Sequence, residues 1–186
     1  MYDVIVRSKG FERQLESLEK VLAKLLAAGL KMRPDKCQLF RRKVKFLGHV
    51  VSKNGVEPDP EKISAVANWC TPTNKGELAS FIGLVSYYQK FIEDYSTTAS
   101  PLFALASKYA SWKWTKDCEE SFCKLKRALT SAPILAYPQF GEGHGQFILD
   151  VDASDVAMGA VMSQVQDGQE RVLAYGHKSL NTTWQA

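Results

Sequence analysis

Apolar residues at Phe11, Leu15, Leu18, Leu22 and Leu25 recur every three or four positions, the spacing of one face of a helix. Gly29 predicts its end and Pro34 forbids its continuation. Before it, the short β-branched run Val4, Ile5, Val6 in "MYDVIVRS" predicts a buried strand. After it, Val44, Phe46, Gly48 and Val50 alternate, and Asn54-Gly55 marks a turn. This predicts a β-meander over about 37–40, 44–51 and 55–57. Asp59-Pro60 opens a helix lined by Ile63, Val66 and Trp69, and Thr71-Pro72 closes it. Asn74 and Glu77 form a capping pair for a second helix lined by Leu78, Phe81, Ile82, Val85, Tyr88, Phe91 and Ile92. A third helix is expected over about 98–108, a short strand at "WKWT", and a helix over about 116–130 behind Thr115. Three strands follow at about 146–152, 157–165 and 170–177, with Asp167-Gly168 in the last turn.

Composition adds little: 45% hydrophobic and 24% charged residues describe an ordinary globular chain. No apolar run nears the roughly 20 residues of a membrane helix, and the N-terminus has no signal-peptide pattern. The cysteines (Cys37, Cys70, Cys118, Cys123) form no Cys-x-x-Cys pair and lie far from the three histidines in sequence. That argues against zinc and for reduced thiols in an intracellular protein, cytoplasmic or nuclear.

Charge changes the picture more. Residues 1–52 hold 12 Lys and Arg against 5 Asp and Glu, a net +7, while residues 53–186 hold 12 against 15, a net −3. The basic part contains "FRRKVKF", with Arg41, Arg42, Lys43 and Lys45 on a predicted strand. Such a strand suits a phosphate backbone; a solvated hairpin face is the other reading. Lys75 and Lys90 on the second helix could also meet phosphates, among Glu77, Glu93 and Asp94. Most of Phe81, Tyr87, Tyr88 and Phe91 belongs to the core at that spacing. In "FILDVDASDVAMGAVMSQ", Asp150 and Asp152 share one strand face, and Asp155 falls in the turn.

Five blocks stand in order: "GLKMRPDKCQLF", "VKFLGHVVSKNGVEPDPEKISAV", "ELASFIGLVSYYQKFIEDYSTTASPL", "WKWTKDCEESFCKLKRAL" and "FILDVDASDVAMGAVMSQ…VLAYGHKSL". In this order they resemble the Pol polyprotein of Gypsy-type LTR retrotransposons, where reverse transcriptase runs into ribonuclease H. The resemblance implies an α+β fold in three parts. Residues 1–57 would be the end of the palm, 58–110 a helical thumb, and 111–186 a connector helix with the first strands of a ribonuclease H-like mixed sheet. It implies Mg²⁺-dependent DNA synthesis on RNA and hydrolysis of RNA in hybrids as the parent activities. The implied partners are an RNA/DNA hybrid or duplex and the remainder of the polyprotein. "FLGH" (Phe46, Leu47, Gly48, His49) resembles the primer grip, a hairpin that presses on the primer end; a packed hairpin with a small residue at a crossing is the alternative.

The resemblance also implies site residues. Asp3 matches the second Asp of a Tyr-x-Asp-Asp tetrad, with Tyr2 in place of the first. Asp152 in "DVDAS" matches the first metal-ligating Asp of ribonuclease H, with Val151 where the family has Thr. The remaining ligands are expected outside Met1–Ala186, so this chain alone is expected to be inactive in both reactions. The alternative is a non-catalytic nucleic-acid-binding remnant or domesticated module. An open sheet edge after residue 177 is an expected aggregation liability.

Overall fold

Helix α1 (Phe11–Ala27) ends as its sequence requires. Gly29 takes φ 68°, Leu30 N–H donates to the Leu25 carbonyl, and Gly29 N–H donates to that of Leu26. This is the paired closure that a left-handed glycine permits. Yet α1 has no buried residue: Phe11, Leu15, Leu22 and Leu26 are all exposed. Leu15, Leu18, Leu22 and Leu26 line an open apolar groove with Leu39 and Phe40. The computed structural model describes residues 3–154 and 157–180. Tyr2, Asp155 and the segment 181–186, for which roles were expected, lie outside them.

Among the described residues, two small antiparallel sheets and five α-helices make an α+β fold. The first sheet is the meander β1 (Lys43–Phe46), β2 (His49–Ser52) and β3 (Gly55–Pro58), in that order. Helices α2 (Pro60–Ala67), α3 (Lys75–Tyr87), α4 (Tyr95–Ala106) and α5 (Lys116–Thr130) follow, then β4 (Phe147–Ala153), β5 (Ala157–Gln166) and β6 (Gln169–Ser179) in the second sheet. The expected caps are present. The Asp59 carboxylate accepts from Glu61 N–H, the Asn74 amide oxygen from Glu77 N–H, and the Thr115 hydroxyl from Cys118 N–H.

One continuous core joins these elements. Val66, Leu78, Phe81, Val85, Leu102, Phe122, Leu125 and Leu129 are buried together, and Val56, Val172 and Tyr175 pack against them. The core therefore runs from the first sheet through the helices to the second sheet. Two backbone links reinforce it: Val56 and Leu135 exchange both hydrogen bonds, and Ala136 N–H donates to the Val172 carbonyl. The segment before β4 is held by buried amides. Gln164 accepts from Gln139 N–H and donates to the Gln139 and Gly145 carbonyls, while Gln166 donates to that of Tyr137.

Four expectations about local structure change. Residues 3–8 form no strand with the described residues, and Val4 and Ile5 are exposed. Cys37–Phe40 is not a strand; a single tight helical turn at Pro34–Lys36 precedes it, and Phe40 takes φ 55°. The alternation of "WKWT" reflects ring packing, not sheet. Trp112 and Trp114 lie 5.9 Å apart, and the Trp114 indole N–H donates to Glu119 on α5. The expected strand 44–51 is two strands, because Leu47 (φ 44°) and Gly48 (φ 66°) turn the chain back. Two successive left-handed residues make the turn that matches strand twist. The turn pairs Phe46 with His49 and Lys45 with Val50, so Val50 falls on the Lys45 face, opposite Phe46.

Candidate nucleic-acid interface and carboxylate cleft

The hairpin tip is built from both the first sheet and α3. Its strained residue is Leu47, since a leucine rarely adopts φ 44°. Four groups hold the Leu47-Gly48 turn. The Tyr87 hydroxyl donates to the Leu47 carbonyl at 2.5 Å, and His49 Nδ1–H donates to the same oxygen at 2.6 Å. The Tyr88 hydroxyl donates to the Gly48 carbonyl at 2.6 Å, which also accepts from Asp59 N–H at 3.2 Å. A Cβ on Gly48 would come within 3.3 Å of both tyrosine hydroxyls, so glycine is required for this close approach. The Leu47 side chain itself is 57% exposed.

His49 is packed against Tyr87, Tyr88 and Phe91, with ring centroids 5.4, 5.5 and 5.7 Å away. Because a carbonyl can only accept, its Nδ1 carries the proton, and Nε2 is buried without a partner among the described residues. Burial pushes its pKa below the ordinary histidine value, opposed by the Leu47 carbonyl and helped by Lys90. Sequence reasoning placed most of Phe81, Tyr87, Tyr88 and Phe91 with the core. Tyr88 and Phe91 are indeed buried, while Tyr87 is half exposed. The signal for their bonding role was the phenol itself, since a packed tyrosine hydroxyl finds a partner.

The cations divide. Lys43 pairs with Glu57, and Lys45 pairs with Asp59 at 3.3 Å and Glu61 at 2.6 Å. The bond to Glu61 holds the Lys45 ammonium above its usual range. The Glu61 backbone N–H, more than Lys45, holds the Asp59 carboxyl below its usual range. Arg41 and Arg42 are exposed at the base of the hairpin and have no ion-pair partner among the described residues. Lys75 donates to the Ser107 carbonyl at 2.6 Å just past the end of α4, and Lys90 lies over the Phe91 ring. Both have local structural work.

The carboxylates lie on the second sheet. Asp150 pairs with Val161 and Asp152 with Gly159, on the sheet face that also carries Tyr175 and His177. That face meets the helices. His177 Nε2 is 3.0 Å from the Gln89 amide oxygen, and its ring packs edge-on against Tyr95. Asp94, in a left-handed conformation at the start of α4, approaches Gly159 so closely that a Cβ there would lie 2.8 Å from its oxygen. A cleft of about 180 Å³ results, lined by Glu93, Asp94, Asp150, Asp152 and Gly159. Asp152 is exposed. Asp3 is exposed in a segment without regular structure and does not line this cleft. The opposite sheet face leaves Phe147, Leu149, Val151, Met158 and Met162 exposed.

Residues 114–186 match the RNase H-like domain found in reverse transcriptase. Over 192 aligned residues the chain is 38% identical to the retrovirus-related Pol polyprotein from transposon opus of Drosophila melanogaster, covering 97% of this chain. It is a homologue of retrotransposon Pol polyproteins. A second such relative, from transposon 297 of Drosophila melanogaster, is 37% identical over 87% of the chain. The transposon Tf2-3 polyprotein of Schizosaccharomyces pombe is 37% identical over 90%. The chain spans 19%, 15% and 12% of the length of those three relatives. Its fold is similar to part of the foamy viral protease-reverse transcriptase. The structure of that protein in complex with RNA/DNA hybrid matches with a TM-score of 0.76 and 25% identity, over 96% of this chain and 24% of that one. The dRH form in complex with ds DNA matches with a TM-score of 0.76 and 24% identity, over 95% of this chain and 31% of that one.

Reverse transcriptase and RNase H proteins generally use divalent metal ions. Among the described residues no three His, Cys, Asp or Glu side chains come together to hold one. The described part of the cleft does not by itself make a two-ion site. Nor, among the described residues, is any helix long and apolar enough to cross a membrane.

Proposed function

We propose that this chain holds template–primer nucleic acid within a retroelement Pol polyprotein, whose reactions are RNA-directed DNA synthesis and hydrolysis of RNA in hybrids. One observation carries the reading. Of the four cations on the "FRRKVKF" segment, Arg41 and Arg42 have no acidic partner among the described residues, and they stand at the base of the hairpin whose tip is Leu47-Gly48. The related foamy viral protein is described in complex with RNA/DNA hybrid, so a hybrid or duplex is the proposed ligand. Phe46, Leu47, Gly48 and His49 form the proposed primer-facing tip, with Lys43 and Lys45 tying β1 to the acids beside it. Asp152 is the proposed first ligand of a Mg²⁺ pair, and Asp3 the proposed polymerase carboxylate. One exposed carboxylate binds Mg²⁺ weakly, because the ion keeps most of its waters; neither residue is proposed to act alone. An intracellular setting, cytoplasmic or nuclear, accords with four free cysteines.

The test is fluorescence anisotropy of a labelled RNA/DNA hybrid titrated with the chain at several salt concentrations. Arg41→Glu with Arg42→Glu should weaken binding and lower the salt slope by about two, near 0.9 for each phosphate no longer neutralised. An unchanged affinity and slope would overturn the proposal.

A further inference from the structure

The hairpin tip is held from outside its own strands as well as from within them, and the end of α3 supplies the outer hold. Leu47 is in a conformation that persists only where its surroundings over-determine it. Both turn carbonyls point back at the helix and are taken by consecutive tyrosine hydroxyls, Tyr87 on Leu47 and Tyr88 on Gly48. The two rings lie edge to face, with centroids 5.0 Å apart, and His49 packs against both. Tyr88 is 1% exposed and fixed in the core, so the tip is tied to the helices as well as to its strands.

We infer that Tyr87 and Tyr88 are positioning residues, a clamp that sets how the tip presents Leu47 and Gly48 to the end of a primer strand. This rests on the reading that the tip meets nucleic acid. The clamp takes up the two carbonyls, which would repel phosphate, and leaves the apolar Leu47 side chain facing outward. Such a surface suits the terminal base pair of a recessed end better than a continuous backbone. It also makes the tip sensitive to any shift of α3.

The experiment compares two labelled RNA/DNA hybrids, one with a recessed DNA 3′ end and one continuous, for the full chain and three variants. Tyr87→Phe and Tyr88→Phe keep the rings and remove one hydroxyl each. Ser86→Ala removes a hydroxyl of the same helix that is bonded to Tyr95 at 2.7 Å and not to the tip. The parent chain should prefer the recessed end. Each Tyr→Phe change should cut that preference by about tenfold, the size of one net hydrogen bond, and speed amide exchange at Gly48 and His49. Ser86→Ala should leave preference and exchange unchanged. Equal binding of both hybrids by the parent chain overturns the clamp while the nucleic-acid reading stands. So does a preference that the Tyr→Phe variants retain, or one that Ser86→Ala lowers equally. No binding of either hybrid overturns both readings.

Discussion

Phe81 is the side chain on which the junction of the helices most depends. It is fully buried, its ring centroid 4.5 Å from Phe122 on α5 and 5.8 Å from Trp69 after α2. Phe81→Ala removes the ring from between those two partners. Truncating a buried Phe costs about 3–5 kcal/mol, and the loss of two ring pairs, about 0.5–1.5 kcal/mol each, pushes it to the upper end. For a chain of this size each kcal/mol lowers Tm by about 2–4 °C, so a fall of roughly 6–20 °C is expected. That is a large share of the roughly 5–15 kcal/mol that holds a typical domain. Because the Phe81–Phe122 pair crosses the expected boundary near residue 110, the loss should appear as one earlier transition. Urea unfolding followed by tryptophan fluorescence measures it, with Phe140→Ala as the control, since Phe140 is 74% exposed. A loss under about 1 kcal/mol, or one matched by Phe140→Ala, would refute the assigned core.

Gly55→Ala should destabilise by roughly 2–4 kcal/mol: its Cβ would lie 2.1 Å from the Leu135 carbonyl oxygen and break the Val56–Leu135 pair. A urea midpoint like that of the parent chain would count against that close approach. Stability should also fall below neutral pH. Burial holds His49 and His177 under the ordinary 6.5, so the unfolded chain binds protons first. The contribution is full above 6.5 and lost as pH drops below it, until the folded imidazoles are protonated too. Asp59 and Glu77, held low chiefly by backbone N–H groups, add a further loss only in acid. A midpoint that is flat between about pH 7 and pH 5.5 would contradict the histidine burial. In hydrogen exchange, amides of α3, α4 and α5 should be slowest and those of β4, an exposed edge strand, faster; the reverse order would sink this ranking.

What the sequence showed and what it hid differ in kind. Caps are local, and Asp59, Asn74 and Thr115 act within three residues of themselves, so their helices were legible. The turn at Leu47-Gly48 was not, because it depends on hydroxyls 40 residues away. Periodicity misled where two forces share a spacing of two. Trp112 and Trp114 alternate as a strand would, but they pack on each other and bond to a helix. Charge misled in a similar way. A count of cations finds Lys43 and Lys45, while only the fold reveals that Glu57, Asp59 and Glu61 return beside them. For the carboxylates, strand period placed Asp150 and Asp152 on one face; it could not tell that this face turns toward the helices.

That orientation constrains what can bind them. The sheet uses its Asp-bearing face to dock on α4 through Tyr175, His177 and the close approach of Asp94 to Gly159. The cleft beside Asp152 is therefore bounded on one side by Glu93 and Asp94 of the helical unit. Any ligand of Asp152 must share this space with three further carboxylates, those of Glu93, Asp94 and Asp150, which favours a cation and disfavours an unscreened phosphate. The apolar face, with Phe147, Leu149, Val151, Met158 and Met162 exposed, points the other way. Covering that face would bury apolar surface without touching the carboxylates. The hairpin tip is bonded to the end of α3 and the Asp-bearing cleft is bounded by the start of α4, and the two helices share one core.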